Sequence, residues 1–260
     1  AQYGSDAIAG VINVILDERP EGIETRFSYG GHVTGFDPTG ETLTDGGTFN
    51  ASGSAGLPLP GNGFLRTGFE YRDRGETDRA GLDQVPFFED AGNIPLVGGR
   101  QNFKPGDGAS EDVNLWLNSG MGLTDSTELY GFATYNHRDA EGTGFFRYPI
   151  SSANLRAVYP FGYRPITTGD NEDIAGTGGV RGEFAAWNWD ASLSYGVNDF
   201  ESGVRRSLNP ALGVTSPTEF RSGNYQNDLL SLNLDVNRGF AVGFASPLTV
   251  ASGFEYRHQG

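Results

Sequence analysis

The 260-residue chain has no cysteine, one lysine (Lys104) and one methionine (Met121). Without cysteine there is no disulfide, thiolate nucleophile or cysteine-ligated metal, though this assigns no compartment. Its 18 basic residues face 33 acidic ones, a formal net charge of -15. No basic stripe can follow a phosphate backbone, so nucleic acid is excluded as a partner. No apolar run approaches the roughly 18 to 20 residues of a membrane helix, which leaves only barrel strands as a way to cross a bilayer. Glycine is plentiful at 40 residues and aromatics reach 12%. That pairing suits tight strands and turns better than helices.

Alternation is the dominant pattern. Leu230, Leu232, Leu234 and Val236 fall on one side of "LLSLNLDVNR", with Ser231, Asn233, Asp235 and Asn237 on the other. Trp189, Ala191, Leu193, Tyr195 and Val197 oppose Asp190, Ser192, Ser194 and Asn198 in the same way. Val113, Leu115, Leu117 and Met121 face Asn114, Asn118 and Gly120, where only Trp116 breaks the polar side. Ile23, Thr25, Phe27 and Tyr29 repeat the pattern. A period of two marks a half-buried strand. About nine such strands are expected, at 22–33, 48–57, 63–74, 111–122, 127–139, 176–185, 187–202, 227–238 and 248–259.

The connections alternate in length. Short ones fall at 58–62, at 123–126 and at Ala186, with 239–247 a longer member of that set. Long ones fall at about 34–47, 75–110, 140–175 and 203–226. In an up-and-down antiparallel sheet alternate loops emerge at opposite ends, so one end is trimmed and the other elaborate, as in outer-membrane barrels. A sandwich shows the same alternation. The loop asymmetry favours the barrel, as do the tyrosines near strand ends, Tyr29, Tyr71, Tyr135, Tyr195 and Tyr256, which would form an interfacial belt. "GFEYR" occurs at Gly68 and again at Gly253, as expected of two strands ending at one height.

Chemistry-bearing groups are sparse. His32, His137 and His258 have no ligand-pair spacing and read as polar rim residues, with no metal site. Asp170, Glu172 and Asp173 in "GDNEDIAG" read as a solvated acidic loop. "GTGGVRG", from Gly176 to Gly182, lacks the Gly-Lys-Ser/Thr ending of a phosphate loop. No nucleophile elbow is present, so no catalytic residue, cofactor or enzyme activity is assigned. The strongest candidate is one long loop, where Arg147, Arg156 and Arg164 interleave with Tyr148, Tyr159 and Tyr163 and with Phe145, Phe146 and Phe161. Guanidinium and aromatic groups together suit carboxylate-bearing or sugar-like ligands. The same aromatics could instead fold the loop onto itself.

The opening differs from everything after it. Ser5 and Asp6 can cap a turn that Gly10 ends, and "VINVIL" is apolar on both faces, as in a buried strand. "GSDAIAGVINVIL" resembles the end of the plug domain of TonB-dependent outer-membrane receptors, which commonly finish in G-x-x-A-I-A-G-V-I-N. The matching residues are Gly4, Ala7, Ile8, Ala9, Gly10, Val11, Ile12 and Asn13. "FFRYPI", "YPFGYRP", "LNPALG", "SPTEF" and "FEYR" are similar to barrel segments of one subgroup of these receptors.

The resemblance implies an all-β chain, part of a transmembrane antiparallel up-and-down β-barrel preceded by the C-terminal end of a plug. Residues 1–17 would end the plug, 18–21 would be a hinge, and 22–260 would begin a barrel of about 22 strands. The implied function is uptake of a scarce siderophore, another metal chelate or an oligosaccharide across the outer membrane of a Gram-negative bacterium. The implied partners are outer-membrane lipid and TonB, with ExbB and ExbD, acting through a missing N-terminal region. Two alternatives stand beside it: a passive porin-like barrel, and a soluble all-β adhesin or carbohydrate-binding module whose apolar strand faces would meet each other.

Overall fold

A computed structural model describes residues 15–85 and 100–260. Nine strands form one sheet in sequence order, every neighbour antiparallel. They are β1 (Ile23–Phe36), β2 (Glu41–Leu59), β3 (Gly63–Arg74), β4 (Ala109–Thr124), β5 (Thr127–Thr143), β6 (Ile166–Phe184), β7 (Trp187–Arg205), β8 (Glu219–Phe240) and β9 (Leu248–Gln259). A short 3-10 turn, Pro210–Thr215, lies between β7 and β8, with the side chain of Asn209 accepting from the Ala211 amide. No helix of the described residues is long and apolar enough to cross a membrane, which says nothing of a β-barrel.

All nine expected strands are present, but they reach further at one end than the alternation shows. β6 begins at Ile166 and β8 at Glu219, where 176 and 227 were expected. The extra residues carry polar groups on both sides of the strand and only scattered apolar ones (Ile166, Ile174, Phe220, Tyr225), so apolar periodicity does not register them. Asp170, Glu172 and Asp173 therefore lie on β6, paired with both β5 and β7, and not in a solvated loop. "GTGGVRG" is likewise the second half of β6. The expected long connection at 34–47 is a turn over 37–40, because β1 and β2 continue past a register shift between Gly30 and His32. The connections 75–108, 144–165 and 206–218 remain long, and those at the other end remain short.

The sheet is a single layer. Among the described residues the buried hydrophobic side chains are Ala80, Tyr163 and Leu208, all in the long connections and none on a strand. The apolar strand face is open, with Leu193 51%, Leu234 46% and Phe254 59% exposed. A sandwich would bury that face against a second sheet, so the sandwich alternative is set aside.

On the apolar face the five tyrosines trace one diagonal. Tyr71 pairs through Ala51 to Phe27, two residues before Tyr29. Tyr71 also pairs through Val113 to His137, two residues past Tyr135. Tyr135 pairs through Ile174 to Val197, two residues past Tyr195, and Tyr195 pairs through Leu230 to His258, two residues past Tyr256. Each tyrosine is thus displaced by two residues for every two strands crossed. One residue of rise per strand spacing corresponds to a strand tilt of about 35°, the tilt of a closed barrel wall. In a wall tilted by that angle the diagonal would run level.

Candidate functional site

Three features surround the polar face: the wall itself, a cap of loops at one end and the segment before β1 at the other. On the wall, the polar side chains pair along rows. Asp112 on β4, its side chain 1% exposed, accepts from Arg72 on β3 at 3.0 Å and from Arg138 on β5. The neighbouring row holds Asn136 donating to Asn114 at 2.6 Å, and Asn198 donating to Asp173 at 2.7 Å and to Asn171 at 2.9 Å. Thr177 and Ser194 share a hydrogen bond of 2.8 Å. Trp116, the residue that breaks the polar alternation, stands opposite Gly68, whose missing side chain leaves room for the indole.

The loop cap is assembled from distant segments. Residues 75–83 run against 100–107, with backbone bonds from Thr77 to Asp107, Arg79 to Pro105 and Asp83 to Arg100. Asp45 of β2 receives the Asp78 amide at 2.9 Å and the Arg79 guanidinium. Asp83 joins the two long loops, accepting from Asn102 and from the Tyr148 hydroxyl, each at 2.7 Å. Burial, and then this carboxylate, push the Tyr148 hydroxyl well above the usual tyrosine range. Phe103, Phe146 and Tyr148 pack edge to face with centroids 5.1 to 6.4 Å apart.

Of the six loop residues singled out from sequence, four are built into the loop itself. Tyr148 bonds Asp83, and Arg147 pairs its backbone with Tyr163. Tyr163 is 3% exposed, stacks on Tyr159 at 4.5 Å and donates to the Ala153 carbonyl at 2.8 Å. Tyr159 donates to the Ser207 carbonyl of the next loop at 3.3 Å. Arg156 is exposed. Arg164 lines a cavity of about 490 Å³ with Thr77, Lys104, Asp107, Glu141 and Thr143. Burial lowers the pKa of the Arg164 guanidinium, as does Arg206 beside it. Lys104 is paired with Glu76 and Glu141 with Arg205. The cavity therefore offers hydroxyls and a balanced mixture of charges, suited to a polar ligand of mixed charge.

His137 reaches Asp139 at 3.4 Å and Asp170 at 3.7 Å, and one ligand atom from each lies within 4.8 Å of the others. No spacing within the chain shows this group, because β5 and β6 bring it together by register, with Asp139 opposite Asp170. The three groups could approach one small cation, though exposed acidic groups commonly lie this close without one. His32 and His258 do not join them.

At the short-turn end the segment before β1 crosses the polar face of β2, β3 and β4, a contact not anticipated from sequence. Arg66 on β3 is fully buried beneath it. Its Nε lies 2.7 Å from the Asp17 carboxylate, at ion-pair distance but without hydrogen-bond alignment, and it donates to Ser54 at 2.9 Å and to the Glu21 carbonyl at 3.4 Å. Arg19, bonded to Asp17 through side chain and amide, lowers the Asp17 carboxyl to about 2, with a smaller contribution from Arg66. The one hint in the sequence is an acidic hinge, "DERPEG", ahead of a polar strand face that carries an arginine. The expected plug-end residues Gly4 to Asn13 lie outside the described residues.

The sequence matches no protein-family model and no curated protein. Among solved structures, the whole chain superposes on a ferric enterobactin receptor, PfeA, from Pseudomonas aeruginosa, with a TM-score of 0.55 at 18% identity. The fold is that of part of a TonB-dependent receptor barrel. The chain spans 34% of that receptor's length. A copper transporter, OprC, is matched over 91% of this chain and 37% of its own, at 10% identity and a TM-score of 0.45. The ferric-catecholate import receptor Fiu from E. coli, in its open form, is matched over 95% and 47%, at 12% identity and a TM-score of 0.39. In transmembrane β-barrels generally, the polar side of the wall lines the lumen and the apolar side meets lipid.

Proposed function

We propose that the chain is the first part of the barrel of an outer-membrane transporter that takes up a scarce small ligand, a siderophore, another metal chelate or an oligosaccharide. The carrying observation is the division of one sheet into two solvents' worth of surface: an open apolar face crossed by a diagonal of tyrosines, and a polar face wired by hydrogen bonds. The first suits lipid and its interface, the second a wet or plugged lumen. The loop cap, with its mixed-charge cavity, is the external recognition surface. Residues 1–17 act as the end of a plug that 18–21 join to β1, and TonB with ExbB and ExbD supplies the energy for release inward. The chain's role is binding and passage, not catalysis.

The test is to express the complete open reading frame in a Gram-negative host, then follow its fractionation and the heat dependence of its gel migration. Recovery in the outer membrane with a heat-dependent shift, together with faster growth under iron or sugar limitation that requires TonB, supports the reading. An outer-membrane protein whose conductance is open and independent of TonB would make it a passive porin. Recovery as a soluble, detergent-independent protein would make it an adhesin or carbohydrate-binding module.

A further inference from the structure

The segment 17–24 is held against the wall by a single row of the sheet. Gly56, Arg66 and Asn118 are direct neighbours in that row, on β2, β3 and β4. Each meets the segment differently. Gly56 supplies space: a side chain there would come within 2.5 Å of the Arg19 carbonyl and 2.7 Å of the Glu21 amide, and its own amide donates to the Gly22 carbonyl at 2.9 Å. Asn118 supplies a donor, reaching the Asp17 carbonyl at 3.0 Å. Arg66 supplies charge, with carboxylates at 2.7 Å (Asp17) and 3.7 Å (Glu24).

We propose that Arg66 is a positioning residue that clamps this segment to the lumen wall, so that the chain upstream is tethered at Asp17 and not at the start of β1. A guanidinium stripped of water and ringed by two carboxylates, a hydroxyl and a carbonyl strongly favours leaving its partners in place, because an uncompensated buried charge is costly. The adjoining Arg19 bridges Asp17 and Glu24 as well, at 2.6 and 2.7 Å, which closes the segment into a loop around the same charges. Residues 17–22 are then a fixed strut. On the transporter reading above, this is where movement of the plug ends, and β1 with its register is shielded from it.

The clamp is tested on the protein made from its complete open reading frame and recovered from the membrane, by hydrogen exchange of the peptide spanning 15–24. Arg66→Met is expected to raise exchange there by about tenfold, with β6 to β8 unchanged. Arg66→Lys, which keeps the charge but cannot span Asp17 and Ser54 together, is expected to fall between. Asp17→Asn lies outside the sheet, keeps the barrel sequence intact and is expected to raise exchange as Arg66→Met does, so a folding failure of the arginine variant leaves the question answerable. Unchanged exchange in Asp17→Asn and in any folded Arg66 variant would overturn the clamp. The readout needs no ligand or transport, so failure of the transporter reading and failure of the clamp are separate outcomes.

Discussion

Tyr130 on β5 donates a hydrogen bond of 2.8 Å to Asp190 on β7, passing over the strand that lies between them. The crossing is possible because Gly179 of β6 stands directly opposite Tyr130 and carries no side chain. A methyl group there would lie 2.5 Å from the ring and its hydroxyl. Arg181 covers the ring from 5.2 Å while pairing with Glu128 at 2.9 Å. Gly179 in the glycine run on β6 thus has a reason unrelated to phosphate: it is the floor on which an aromatic side chain ties three strands together.

Gly179→Ala should therefore destabilise the wall, although alanine ordinarily favours an extended strand over glycine. The ring must leave its place, so a loss of about 1 to 2 kcal/mol is expected from overpacking and the lost bond. Tyr130→Phe removes the hydroxyl alone and should cost about 1 kcal/mol. Urea unfolding in lipid vesicles reads both. A stabilising Gly179→Ala would show that the ring does not rest there.

The turn between β6 and β7 is strained in a way that can be relieved. Ala185 and Ala186 have φ of 51° and 63°, both left-handed, in a two-residue hairpin connection between Phe184 and Trp187. Such turns favour Asn-Gly, since a left-handed β-carbon meets its own carbonyl at a cost of about 1 to 2 kcal/mol. Replacing the pair with Asn and Gly should raise the unfolding free energy by about 1 kcal/mol after the extra chain entropy of glycine is offset. No change in the urea midpoint would mean that the strands, not the turn, set this corner.

The strand centres, their order and the division into two faces could all be read from alternation, since a surface that must be apolar on one side leaves a period of two. The strand ends could not. Where Thr167, Gly169 and Asn171 alternate with Thr168, Asp170 and Glu172, both faces are polar, so the pairing leaves no apolar period to read. The loop aromatics could be recognised as a group, but whether they bind or brace depended on partners far along the chain, such as Asp83 for Tyr148 and Ser207 for Tyr159. The triad of His137, Asp139 and Asp170 and the Arg66 clamp escaped for the same reason. Strand register creates the first and the crossing of the segment before β1 creates the second, and neither is local in sequence.

Asp17 gives the strut a defined pH range. The group is more acidic in the fold, falling from its ordinary 3.8 to about 2 because Arg19 bonds its carboxylate. A depressed carboxyl contributes fully above its unfolded value and loses that contribution as pH falls through the folded one. The contact should thus be intact at pH 4 and open only near pH 2. The cysteine-free chain allows one introduced thiol, Glu18→Cys, to carry a spin label whose mobility reports the segment. Mobility that rises already near pH 4 would show that Arg19 and Asp17 are not joined in solution.

The two faces of β8 make opposite demands on the same substitution. Leu234 is 46% exposed on the apolar face, while Asn233 beside it stands on the polar face and donates to Ser231 at 3.3 Å. If lipid covers the apolar face, Leu234→Arg places a guanidinium in hydrocarbon, at a cost of about 2 to 4 kcal/mol near the midplane. Asn233→Arg points into the lumen, where water and the carboxylates of Asp235 and Glu255 are on the same face, and should shift stability by less than about 0.5 kcal/mol. The contrast is read by urea unfolding of the complete protein in vesicles, with the folded fraction scored by gel migration before heating. Equal effects of the two substitutions would mean that both faces see the same solvent. No barrel wall in a bilayer can show that, so the result would count against the membrane reading, whatever the likeness of fold.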